Sequence, residues 1–116
     1  MSKERIVKTL EQFGLSNTDT QIYLFLAKEG PHELKDIAPE LNLPKLKVYR
    51  SLKALQSKRI VKASIEQPLK YVAVPFEEVI DLFIEAKKEQ AKAIQKNKEE
   101  LLSNWRKVTK ETSENN

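Results

Sequence analysis

The stretch 41–65, LNLPKLKVYRSLKALQSKRIVKASI, decides the fold. Asn42-Leu43 makes a tight turn, and Pro44 sits where a first helical residue belongs, because its missing N–H has no helical partner there. A helix over 44–57 follows. Val48, Leu52 and Leu55 recur at helical spacing and form its inward stripe. At ~100° per residue, Lys47, Arg50 and Lys53 point away from that stripe, with Lys45 in the exposed first turn and Tyr49 on the flank. Two readings stay open for Tyr49: packing on or donating to a nucleic-acid backbone, and half-buried core. After Arg59 the pattern turns to branched residues. The runs 60–65 (IVKASI) and 69–74 (LKYVAV) flank Glu66-Gln67-Pro68 and read as a β-hairpin that Pro75 ends.

Upstream, Ile6, Val7, Leu10 and Phe13 predict a helix over 3–13, with Gly14 placed to end it. Ser16 reads as an N-cap, with Asp19 three residues on as a form of the capping box. The second helix carries Ile22, Tyr23, Phe25 and Leu26 inward and stops at Gly30-Pro31. A short third helix over about 33–41 turns Leu34, Ile37, Ala38 and Leu41 inward. Pro39 cannot donate to the carbonyl of Lys35 and crowds it, so that helix is expected to be kinked, tightened or short.

Downstream, nothing from Glu77 to about Lys110 breaks a helix, which at ~1.5 Å per residue is about 50 Å long. Val79, Ile80, Leu82, Phe83 and Ile84 make its first turns apolar. The pattern then thins to a heptad seam. Ile84, Ala91, Lys98 and Trp105 share one position; Lys87, Ile94, Leu101 and Val108 share the other. The seam predicts dimerisation through Ile84, Ala91, Ile94, Leu101, Trp105 and Val108. The other reading is a lone helix held by charge pairs. The tail 111–116 is expected to be disordered.

The expected architecture is therefore mainly α with a small β-hairpin. A winged helix-turn-helix domain spans 1–75, and a long dimerisation helix spans 76–110.

Charge placement narrows the function. Of 21 basic residues, seven lie within 41–65, with none of the 17 acidic ones, although the whole chain is only +4. Such an island is the footprint of polyanion binding or of a solvated basic face. The chain has no cysteine, which excludes disulfides, thiolate metal sites and cysteine catalysis. Its one histidine, His32, precedes a helix, where a solvated or capping role is the default. No glycine-rich phosphate loop, metal-ligand cluster or nucleophile–base pair occurs, so neither an enzyme nor a cofactor is expected. The opening MSKERIVKTL lacks the apolar core of a signal peptide, and no stretch reaches the length of a membrane span. A cytoplasmic protein without a membrane partner is expected.

Helices three and four form a helix-turn-helix pair, and the hairpin adds a wing. In that arrangement the second helix enters the major groove of double-stranded DNA. Arg50 is the expected base reader, because its planar fork bonds guanine in two places. Lys45, Lys47 and Lys53 suit phosphates, which fix position rather than sequence. Lys58, Arg59, Lys62 and Lys70 cluster around the wing, whereas its tip is not basic.

Several stretches look familiar together. The run Phe13-Gly14-Leu15-Ser16 with Ile22-Tyr23-Leu24, and Gly30-Pro31 before the third helix, resemble the opening of TrmB-like regulators. The stretch from Leu43 to Leu52 is similar to that family's recognition helix, and Pro68-Leu69-Lys70-Tyr71-Val72-Ala73-Val74-Pro75 to its wing return strand. The resemblance covers roughly residues 8–80. It implies a winged-helix domain, DNA binding and, mostly, archaeal transcription regulation. Many members add a C-terminal sugar-binding domain; this chain ends before one begins, so no small-molecule effector is implied. The sequence departs from the family at Pro39 and Asn42, where a helix former and a glycine are usual, and at Leu46, where a small polar residue is usual on the DNA-facing side. The competing reading is a protein-docking module that uses the long helix. A docking surface should lose cations at its centre, whereas helix four gains them.

Overall fold

In the computed structural model, residues 2–114 are described, with side chains through Lys110. The order is α1 (Ser2–Gln12), α2 (Asn17–Glu29), α3 (Leu34–Glu40), α4 (Lys45–Ser57), β1 (Val61–Ala63), β2 (Tyr71–Ala73), α5 (Phe76–Lys96) and α6 (Lys98–Glu114). This is a mainly helical winged helix-turn-helix with a two-stranded antiparallel hairpin, followed by long C-terminal helices. The chain divides into two compact units, residues 1–80 and 81–116.

Local chemistry sets the helix ends. Ser16 caps α2 reciprocally: Asp19 N–H donates to Ser16 Oγ at 3.0 Å, and Ser16 N–H donates to Asp19 Oδ2 at 3.1 Å. This satisfies two donors that the first helical turn leaves without partners. Three helices then end by one device. Leu15 N–H reaches Leu10 O while Gly14 N–H reaches Glu11 O. Leu43 N–H reaches Ala38 O while Asn42 N–H reaches Pro39 O. Ile60 N–H reaches Leu55 O while Arg59 N–H reaches Gln56 O. Each is a Schellman closure, in which one residue turns left-handed and the next apolar residue folds back onto the helix. The left-handed residues are Gly14 (φ 94°), Asn42 (φ 55°) and Arg59 (φ 63°).

The core of the first unit joins Leu10, Ile22, Leu26, Ile37, Val48, Leu52, Leu55, Ile60 and Val79, each at most 2% exposed. Here α4 packs on α2, α3 and β1, and α2 also meets α1 and β2. The strands pair Val61 with Ala73, Lys62 with Val72 and Ala63 with Tyr71. His32 adds a one-residue bridge to the outer edge of β2: its N–H donates to Tyr71 O at 3.2 Å, and Tyr71 N–H donates to His32 O at 2.8 Å. The His32 ring meets Phe25 edge-on, and its Nδ1 lies 2.8 Å from Gly30 O, so Nδ1 carries the proton. The sequence reading, which gave His32 a solvated or capping role, missed the bridge.

Three details differ from the sequence reading. Pro44 is the N-cap of α4 (φ −60°, ψ 141°) rather than its first helical residue. The strands hold three residues each, because the hairpin tip closes early on Ser64: Ser64 N–H donates to Lys70 O, and Lys70 N–H donates to Ser64 Oγ. The expected single long helix is regular on both sides of one residue, Asn97, and helical hydrogen bonds span it: Asn97 N–H donates to Ala93 O at 3.1 Å, and Leu101 N–H donates to Asn97 O at 2.9 Å. Finally, α6 continues to Glu114, so most of the expected disordered tail is helical; residues 115–116 lie outside the described residues. Pro39 lies inside α3, which holds only seven residues, in line with the expected shortening.

One buried hydrogen bond ties α2 to the wing. The Tyr23 hydroxyl donates to Val74 O at 2.7 Å, and Val74 N–H donates to Ile60 O. Burial pushes the Tyr23 pKa up to about 12. Ionisation therefore favours the unfolded chain: the contribution of Tyr23 is complete below pH 10 and is lost as pH rises from 10 to about 12. Tyr23→Phe leaves the Val74 carbonyl without that donor, and a loss of about 1–3 kcal/mol is expected near neutral pH. Urea denaturation should show the gap between wild type and Tyr23→Phe narrowing above pH 10; a constant gap would contradict this assignment.

Candidate nucleic-acid interface

The geometry of α4 follows from its buried side. Val48, Leu52 and Leu55 are fully buried, and Ser51 is buried beside them. With 3.6 residues per turn, the direction opposite to that stripe falls on Leu46, Arg50, Lys53 and Ser57. All four are exposed. Lys47 lies roughly a quarter-turn to one side and Tyr49 to the other, both exposed, and Lys45 is exposed in the first turn. The Lys53 ammonium sits 5.3 Å from the centroid of the Tyr49 ring, a cation–π contact that orders both groups on the surface. Tyr49 is 44% exposed, which favours the surface reading of that residue over the core reading.

Leu46 was absent from the predicted set. It is 57% exposed and shares the ridge with Arg50 at i+4 and Lys53 at i+7. The same helical spacing that assigned the buried stripe carries the signal for it.

The wing places cations on one face. Lys62 stands opposite Val72, and Lys70 is two residues along the same strand face; diagonal neighbours of this kind lie roughly 7–8 Å apart. Both lysines are exposed. The tip carries Ile65, 98% exposed, followed by Glu66 and a cis Gln67-Pro68 bond.

The two basic residues at the α4–β1 corner differ. The Lys58 ammonium donates to Gly14 O at 3.0 Å, which ties the end of α4 to the end of α1. That bond gives Lys58 a structural role that the sequence reading had not assigned. Arg59 is exposed and holds the left-handed position.

On α5 and α6 the seam residues are open: Ile84, Ala91, Ile94, Leu101, Trp105 and Val108 are all exposed, with Trp105 at 65%. Leu102 is a further exposed apolar residue beside them. Among the described residues these helices carry one ion pair, Lys92–Glu89 at 3.7 Å, fully on the surface. One exposed pair contributes roughly 0.3–0.5 kcal/mol, too little to be the reason for the helices. No helix among the described residues is long and apolar enough to cross a membrane.

Comparison with known proteins gives the family and the fold. Residues 10–77 match the family described as "Sugar-specific transcriptional regulator TrmB". The chain is 32% identical over 81 residues to the HTH-type sugar sensing transcriptional regulator TrmBL1 of Pyrococcus furiosus, a match covering 70% of this chain and 24% of that protein. It is 30% identical over 110 residues to the uncharacterized protein MJ1503 of Methanocaldococcus jannaschii, covering 89% of this chain and 81% of the relative. Among solved structures, TrmBL2, described as an archaeal chromatin protein with a novel mode of DNA binding, superposes with a TM-score of 0.71 at 30% identity, over 89% of this chain and 42% of that one. The ST1889 protein of Sulfolobus tokodaii shares the fold, with a TM-score of 0.65 at 21% identity over 80% of this chain and 98% of that one. The chain thus spans about a quarter of TrmBL1 and under half of TrmBL2.

A left-handed non-glycine residue costs roughly 1–2 kcal/mol. Arg59→Gly should raise the unfolding free energy by about 1 kcal/mol in urea denaturation; no gain would mean that side-chain packing outweighs backbone strain at this corner. The chain belongs to the TrmB family of DNA-binding, helix-turn-helix transcriptional regulators, a family of regulators rather than of enzymes.

Proposed function

We propose that the chain binds double-stranded DNA sequence-specifically, as a homodimeric transcriptional regulator of the cytoplasm. One observation carries this reading. A single helix buries Val48, Leu52 and Leu55 completely and offers Arg50, Lys53 and the flanking Lys45 and Lys47 on its open side, in a stretch with no carboxylate. A major groove about 12 Å wide admits one such helix. Arg50 bonds guanine O6 and N7, while Lys45, Lys47 and Lys53 meet phosphates. Lys62 and Lys70 lie along the backbone as the wing, with Arg59 at the corner. The tip, with Ile65 and Glu66, lacks the cations that would draw it deep into a minor groove.

The homodimer is the second half of the proposal. Exposed apolar residues at heptad spacing along α5 and α6 suit a second copy of the same helices. Two copies place two α4 helices on half-sites about 34–36 Å apart. The exposure of Trp105 and Leu101 equally suits another protein, and the oligomeric state separates the two readings. Sugar sensing is a property of TrmBL1, of which the match covers only 24%, and forms no part of this proposal.

Binding to labelled duplex across a salt series should give a log–log slope of about −5, for roughly six phosphate contacts. Arg50→Ala should cost about 1–3 kcal/mol and relax specificity at one position, and Lys62→Ala should weaken all sequences evenly and reduce the slope by about 1. A salt-independent signal, or an Arg50→Ala protein with unchanged sequence choice, would contradict the placement of α4. Light scattering should give twice the 13.4 kDa chain mass for the full chain, and Leu101→Asp should return it to a single chain mass. A wild-type chain at one chain mass overturns the homodimer.

A further inference from the structure

The centre of the exposed face of α4 is not a cation. Leu46 lies almost directly opposite the buried Val48, Leu52 and Leu55, in the first turn of the helix, and is 57% exposed. Its neighbours along the ridge are Arg50 and Lys53, with Lys45 and Lys47 on either side in sequence. A single exposed leucine elsewhere would need no explanation. Here its place is specific. The first residues of a groove-inserted helix are those that reach base edges, and the surrounding cations disfavour an apolar protein partner. They match a groove whose walls are phosphates and whose floor carries one kind of apolar group.

We propose that Leu46 is a specificity residue that packs on the 5-methyl group of thymine, so that recognition joins one guanine-directed fork, Arg50, to an adjacent thymine-directed apolar contact. The inference rests on the placement of α4 in the major groove proposed above. The major-groove edge of A·T is distinguished by that methyl group, and apolar side chains read it by contact. Leu46 offers no hydrogen bond, so it cannot select guanine, cytosine or adenine by donor or acceptor pattern. Tyr49 lies at i+3 from Leu46, and the Lys53 ammonium is held over the Tyr49 ring. That contact orders the flank of the ridge and leaves Leu46 and Arg50 as neighbours one helical turn apart.

The test uses the full chain and the duplex it selects from a random library. Each thymine of the selected site is replaced in turn by uracil, which removes the methyl group and keeps every hydrogen-bonding atom. One uracil should weaken wild-type binding about fourfold, the effect of uncovering one methylene-sized group, and both half-sites together about fifteenfold. Leu46→Ala should bind thymine and uracil sites equally; because Leu46 is mostly exposed, the variant should unfold at the wild-type urea concentration. Equal thymine-to-uracil ratios in wild type and Leu46→Ala overturn the inference, as does a selected site with no thymine. In either case salt-dependent duplex binding and the Arg50→Ala effect persist if the broader reading is right, so the two failures are distinguishable.

Discussion

The burial of Val48, Leu52 and Leu55 is the constraint on which the rest depends. These three side chains wedge α4 among α2, α3 and β1, and they are fully withdrawn from water. At roughly 1.5–3 kcal/mol for each such side chain, rolling α4 about its axis is strongly disfavoured. The open face of the helix is therefore fixed by its closed face. Leu46, Arg50 and Lys53 stand outward because their i−2, i+2 and i+5 positions relative to Val48 allow nothing else. A rigid helix with one invariant outward ridge is what recognition of a groove requires.

The connections serve that same constraint. α1, α3 and α4 end in Schellman closures whose following residues, Leu15, Leu43 and Ile60, return the chain to the domain. Glycine fills the left-handed position only at Gly14; Asn42 fills the second at small cost, since Asn tolerates this conformation. Arg59 fills the third, where backbone strain argues for glycine and the surface argues for a cation. Lys58 and Tyr23 then fasten the assembly, the first from α4 to Gly14 O and the second from α2 to Val74 O. The wing thus hangs from the helical core by a deeply buried hydroxyl at its return strand and by the corner residues at its start.

Much of this was legible in the sequence, and the reasons are particular. Period-3.6 apolar spacing gave the helices, the Ser16…Asp19 pair gave the start of α2, and the branched runs around Glu66-Gln67-Pro68 gave the hairpin. Long-range backbone pairing was invisible: nothing local to His32 announces a bridge to Tyr71, 39 residues away. The long C-terminal helical run was readable from the absence of breakers after Pro75, and its hydrogen bonds continue through Asn97. At the interface, cations were assigned contacts because charge is conspicuous, whereas Leu46, read as DNA-facing, was assigned none because an outward leucine carries no charge. The buried stripe places it at the centre of the opposite face. Lys58 illustrates the converse: its charge suggested DNA, and its ammonium is engaged with a carbonyl of the same chain.

The account turns on one surface, the outward ridge of α4 with the cationic face of the wing. Backbone amide spectra recorded while the chain is titrated with duplex DNA test it most directly. The account predicts that shifts concentrate in residues 45–53 and at Lys62 and Lys70, while α1 and the buried amides of α2 stay in place. Shifts gathered on α5 and α6, with residues 45–53 unmoved, would contradict it.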